Sequence, residues 1–215
     1  MFKALVSLAK QKLPTTIVLA MAVLLSGCSA SMKPEDFANK QPRFVIEDYF
    51  KGKTKAWGIF EDRFGNLKRE FVVDITGSWD GKQLILDERF LYSDGEKETR
   101  VWTISKKDEN NYTGTAGGVV GIAKGKSFGN VLNWTYDFDL KVGDGTLRVH
   151  FNDWMYLQPD GMMLNKAEVT KFGVHLGTVT LAFRQVGKEA PAKEEKVEFT
   201  PINQGMRNAA AQAVR

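Results

Sequence analysis

Apolar and polar residues alternate one for one over long stretches of this chain. Phe71, Val73, Ile75 and Trp79 share one face of a segment against Asp74, Thr76 and Ser78, while Leu132, Trp134, Tyr136, Phe138 and Leu140 oppose Asn133, Thr135, Asp137 and Asp139. A period of two puts successive side chains on opposite faces of a strand, so each segment has one dry and one wet face. No segment shows a 3.6-residue period with helix caps. The alternating runs are broken at Gly65-Asn66, Asp80-Gly81, Asp94-Gly95, Asn110-Asn111, Gly129-Asn130, Asp144-Gly145 and Asp160-Gly161, most of them 14 to 16 residues apart. Such pairs supply the positive φ of tight hairpins, so sequence neighbours pair antiparallel in a meander. A long meander hides its edges by closing on itself. The expected fold is all-β, an antiparallel up-and-down β-barrel of lipocalin or calycin size with about 8–10 strands, and a β-sandwich is the alternative. Membrane-spanning barrels turn their apolar set outward and need aromatic girdles. Here the apolar set is read as the inside of a barrel in water, filled by side chains or holding one small ligand.

Composition fits this picture: 43% hydrophobic and 26% charged residues describe an ordinary globular chain. The formal net charge of +4 does not point to nucleic acid, because the stretch 28–185 holds 22 basic and 22 acidic residues. The excess cations sit elsewhere, among them Lys3, Lys10 and Lys12 in the leader.

Residues 1–27 have the layout of a lipoprotein signal peptide, with those lysines, an apolar run over residues 17–25 and small residues before a cysteine. The run is too short to span a bilayer. Leu25-Ser26-Gly27-Cys28 resembles the lipobox of bacterial lipoproteins, which implies cleavage before Cys28, acylation of its thiol and a membrane partner reached through the N-terminal acyl anchor. Several acyl chains hold a protein on a membrane where one does not. Ser29 stands where an inner-membrane retention signal carries Asp, so the resemblance favours the periplasmic face of the outer membrane. With its single cysteine acylated, the chain has no thiol for a disulfide or a thiolate metal site. Residues 28–42 read as a lipidated tether, 43–185 as the barrel domain, and 186–215, rich in Lys, Glu, Ala and Gln, as a mostly disordered tail.

Some charges fall in step with the apolar faces. Glu88 sits between Leu86 and Phe90, Asp153 between Phe151 and Met155, Arg69 precedes Phe71 and Val73, and Arg100 precedes Trp102 and Ile104. An unpaired charge inside a barrel costs several kcal/mol, so these groups are mutually paired, hydrated or satisfied by a ligand. Three arrangements stay open: internal ion pairs that fix register; Arg69 or Arg100 receiving a carboxylate or phosphate head group, with Trp57, Trp102, Trp134 and Tyr136 lining an apolar remainder; or a β-bulge that turns the charges outward. Glu88 and Asp153 are the catalytic candidates, as a carboxylate pair for proton transfer. His150 falls on a wet face and His175 in an expected turn over residues 173–177, so they form no metal or nucleophile couple, and neither a metal nor a cofactor is expected. The glycine-rich stretch 114–129 reads as a bulged strand pair or barrel corner. Gly77-Ser78-Trp79 carries the Gly-x-Trp of lipocalins, though late in the chain.

Asp48-Tyr49-Phe50-Lys51-Gly52-Lys53, Ala56-Trp57-Gly58, Arg63-Phe64-Gly65, Tyr92-Ser93-Asp94-Gly95, Arg100-Val101-Trp102, Asp153-Trp154-Met155-Tyr156 and Lys171-Phe172-Gly173 together resemble a bacterial lipoprotein family catalogued as domain of unknown function 3833. The resemblance runs over about residues 44–184. It implies an envelope lipoprotein with a calycin-like barrel, often encoded beside enzymes that modify unsaturated or cyclopropane fatty acyl chains, and it assigns no reaction. One departure is Ala116-Gly117-Gly118, where the family pattern places two aspartates after the alanine.

Three functions follow as expectations. The first is a barrel that binds or carries a fatty acyl chain or other lipid, accessory to membrane lipid modification, as concave apolar pockets with a few polar groups suit. The second is an accessory protein with a filled barrel and a protein partner, and the third is a lipid-modifying enzyme using the buried carboxylates. No partner among nucleic acids is expected.

Overall fold

The computed structural model describes residues 31–187, and contacts divide the chain into two units, the second beginning at Lys33. Ten strands follow in order: β1 (Gly52–Asp62), β2 (Leu67–Trp79), β3 (Gln83–Tyr92), β4 (Lys97–Lys106), β5 (Asn111–Thr115), β6 (Val119–Phe128), β7 (Val131–Val142), β8 (Gly145–Leu157), β9 (Met163–Lys171) and β10 (Val174–Gln185). Each pairs antiparallel with its sequence neighbours, and β1 pairs with β10 from Thr54↔Gln185 to Asp62↔Gly177. The sheet is a closed up-and-down barrel, so the sandwich alternative falls away, and the short β5 pairs with β4 only over Thr103–Lys106 and with β6 only over Ala123–Lys126.

Every expected turn pair lies at or beside a hairpin, and two more hairpins fall within the glycine-rich stretch 114–129 and beside the turn expected over residues 173–177. A five-residue β5 turns into β6 through Ala116-Gly117-Gly118. The last hairpin turns at Phe172-Gly173, both with positive φ, so His175 belongs to β10 and not to a turn.

The alternation sorts the side chains as read. Val73 and Ile75 of β2, Leu84 and Leu86 of β3, and Trp102 and Ile104 of β4 point inward and are buried. The outer wall carries ion pairs such as Lys55–Asp74 at 3.4 Å and Arg148–Asp139 at 2.8 Å, unlike the apolar band of a lipid-facing barrel. The glycine-rich stretch has a packing cause. A Cβ on Gly125 would lie 2.2 Å from the Trp134 ring, and one on Gly114 would lie 2.8 Å from it, so these glycines let the indole lie flat against the wall. The pairing of β6 with β7 shifts register between Val120 and Lys124, the expected bulge.

The segment before β1 differs from its sequence reading. Part of the expected tether is folded: a 3₁₀ turn, Pro34–Phe37, puts the buried Phe37 ring 6.2 Å from the rings of Trp154 and Tyr156 on the outer side of β8. A single turn, α1 (Ile46–Phe50), then covers one end of the barrel with Ile46, Tyr49 and Phe50 buried. It seats so closely that a Cβ on Gly77 would lie 1.9 Å from the Phe50 carbonyl oxygen. The buried Glu47 of this turn accepts from Tyr112 Oη at 3.1 Å and pairs with Lys106, while Ser127 Oγ donates to the Phe44 carbonyl at 2.6 Å. Five residues are too few to display a helical period, which is why the alternation did not announce α1. The signal segment, Cys28 and the tail from residue 188 lie outside the described residues.

Candidate functional site

A cavity of about 320 Å³ runs inside the barrel from α1 toward the opposite end, within the roughly 300–1,000 Å³ of small-molecule sites. Ile46, Phe50, Ile75 and Phe183 line it near α1, and Phe71, Phe90 and Leu140 line it toward the far end. Between them lies a polar belt of Glu88, Arg100, Tyr136 and Asp153.

Strand register builds the belt. Glu88 of β3 stands opposite Arg100 of β4, and on the facing wall Asp153 of β8 stands opposite Trp134 of β7, one inward position from the Tyr136–Phe151 pair. Trp102 donates to Glu88, and Tyr136 donates to Asp153. Burial is the main cause that lifts both carboxyl groups to about 7, with the Glu98 charge adding to it at Glu88 and the Glu88 charge at Asp153. Glu88 keeps some accessible surface, but that surface lines a cavity walled by Phe90 and Trp102. Tyr136 is likewise pushed up, by burial and then by the Asp153 charge.

Arg100 donates to Glu98 at 2.7 Å, and its guanidinium lies between the rings of Phe90 and Phe138 at 5.0 and 4.6 Å. Burial opposes its charge, yet Glu88, Tyr136 and Glu98 hold its pKa above the ordinary value. Burial also opposes ionisation of Glu98, and Arg100 overrides it, keeping that carboxyl below its usual range. Arg69 sits at the end away from α1, paired with Asp94 at 2.9 Å and with Glu96, its guanidinium 3.5 Å from the centre of the Tyr92 ring. Tyr92 in turn donates to Glu98 at 2.9 Å. Both arginines are thus held in ion pairs, with Glu98, Asp94 and Glu96, while among the described residues Glu88 and Asp153 form no ion pair.

Trp102, Trp134 and Tyr136 line the cavity as expected, with Trp102 edge-on to Trp134 at 5.7 Å and to Tyr136 at 5.3 Å. Trp57 does not. The inward set of β1 is Thr54, Ala56, Gly58 and Phe60, so Trp57 stands on the outer wall, 44% exposed. His150 pairs with Asp137 at 2.8 Å on the outer wall, and among the described residues no group of three His, Cys, Asp or Glu could hold a metal. Sequence reasoning missed Glu98, Asp94 and Glu96. Glu98 shares the inward parity of Arg100, and that signal would have found it; Asp94 and Glu96 belong to a turn.

The profile of the family described as "Protein of unknown function (DUF3833)" matches residues 22–185. No curated protein matches the chain. Among solved structures it is similar to the S-type phycobiliprotein lyase CPES from Guillardia theta, at 12% identity and a TM-score of 0.47, covering 67% of this chain and 92% of that one.

Proposed function

The chain belongs to the family of proteins of unknown function DUF3833, and we propose that it is an envelope lipoprotein whose barrel binds or carries an apolar molecule, a fatty acyl chain or other lipid, in service of membrane lipid modification. One observation carries the reading: the inward apolar faces do not meet, and they leave a lined cavity of about 320 Å³ with its polar groups gathered in one belt. That hollow favours ligand binding over the filled barrel of an accessory protein. The leader and Cys28 support an acyl anchor, placed at the periplasmic face of the outer membrane. Proton transfer on a bound lipid is the second reading, favoured by two cavity carboxyl groups held near 7.

The test narrows the cavity. Ala167 of β9 is buried, lines the cavity and stands opposite Asp153. Ala167→Phe fills the space at an overpacking cost of about 1–3 kcal/mol. The protein is expected to take up a pyrene-labelled alkyl chain, and Ala167→Phe, folded by circular dichroism, is expected to lose that uptake. Equal uptake by both proteins, or none by either, contradicts the reading.

A further inference from the structure

Resting on the apolar-ligand reading, we infer that the ligand is uncharged and presents a hydroxyl or carbonyl oxygen to the polar belt, so that the barrel discriminates against free fatty acid anions. The charges lining the cavity are Arg69, Arg100, Glu88 and Asp153, with Glu98 paired to Arg100 and with Asp94 and Glu96 beside Arg69. Both cations are engaged. Arg69 lies against Asp94 and Glu96 and over the Tyr92 ring, and Arg100 donates to Glu98 while Phe90 and Phe138 cover its faces.

A ligand carboxylate therefore meets guanidinium groups whose charge Glu98, Asp94 and Glu96 already balance. It would add a negative charge beside Glu88, Glu98 and Asp153, and like charges in a poorly hydrated space repel. An uncharged oxygen meets no such cost. Nε of Arg100 and Nε of Arg69 are buried and have no hydrogen-bond partner among the described residues, and a buried N–H without an acceptor is unfavourable. A carbonyl, ester or hydroxyl oxygen satisfies such a donor without adding charge. Below about pH 7 burial keeps Glu88 and Asp153 as neutral acids that can donate as well as accept, and above it their charge adds to the repulsion of an anion.

The experiment measures quenching of tryptophan fluorescence, since Trp102 and Trp134 wall the cavity, on titration with oleyl alcohol, methyl oleate and oleate at pH 7.5, each below its aggregation concentration. The protein is the chain from Ser29 onward, which keeps all ten strands and the α1 cap, with its sheet content checked by circular dichroism. Oleyl alcohol and methyl oleate are expected to bind at least ten-fold tighter than oleate. The double variant Glu88→Gln, Asp153→Asn is expected to narrow that gap by improving oleate. Oleate binding as tightly as the neutral pair, or a gap unmoved by the double variant, overturns the inference while the apolar-ligand reading stands. Binding by none of the three overturns that reading and the inference with it.

Discussion

Stability against pH reports the belt directly. Glu88 and Asp153 hold their protons to about 7 in the fold, while in the unfolded chain such groups ionise near about 4. Below that lower value both states are protonated and the groups have no effect. As pH rises, the unfolded chain releases two protons that the folded one keeps, so stability falls until the folded groups also ionise, and then levels off. Between pH 5 and 7 each group accounts for two pH units at about 1.4 kcal/mol per unit, and the pair for roughly 3–5 kcal/mol once their mutual repulsion is shared. At about 2–4 °C per kcal/mol for a chain of this size, the melting temperature should drop by roughly 10 °C over that interval. The surface carboxyls Asp62, Asp80, Asp94, Asp108 and Asp139 are all held below their usual range, and backbone, Asn, Lys and Arg donors do this. The stability they supply is lost only in acid, as pH falls through their depressed values, outside this interval. The assay is a set of thermal melts followed by circular dichroism from pH 5 to 8, for the wild type and for Glu88→Gln, Asp153→Asn. The double variant should melt at a nearly constant temperature. A wild-type melting point that is flat or rises with pH, or a variant that keeps the wild-type slope, would refute buried neutral acids in the barrel.

Three further outcomes are expected. Gly77→Ala drives a Cβ to 1.9 Å from the Phe50 carbonyl oxygen, so α1 must shift, at about 1–3 kcal/mol read from a denaturant midpoint; an unchanged midpoint would mean that α1 does not seat there. Phe172 is 95% exposed with φ at 50° beside Gly173 at 76°, the positions of a type I′ turn that favours Asn-Gly, so Phe172→Asn should stabilise by up to about 1 kcal/mol, and a loss of stability would show that the ring has a packing role. Cys28→Ala should abolish labelling of the protein by radioactive palmitate in cells, and retained label would place acylation elsewhere.

Much of the barrel was legible because its two strongest signals are local. Inward residues such as Val73, Ile75, Leu84 and Leu86 recur at period two, and turn pairs such as Asp80-Gly81 and Asp94-Gly95 fix which segments become neighbours. The same parity placed Glu88, Arg100, Trp102, Trp134, Tyr136 and Asp153 on the cavity wall. It failed at Trp57, where a small-residue inner face of Ala56 and Gly58 made the large outward ring look like the core residue. It failed at α1 and Phe37 because one turn has no period to read and because a single aromatic in a polar stretch carries little signal. What the charges do across the barrel was not legible either. Partners such as Arg100 and Glu98 lie two residues apart on one strand, but whether a guanidinium turns toward its neighbour or toward a ligand depends on the walls Phe90 and Phe138 build around it.

Native mass spectrometry of the chain from Ser29 onward, exported to a bacterial periplasm and purified without detergent, asks whether the barrel holds an apolar, uncharged guest. A reproducible added mass, released by organic solvent and identified as a neutral acyl compound, is expected. A bare polypeptide mass that also takes up no added lipid would rule such a guest out.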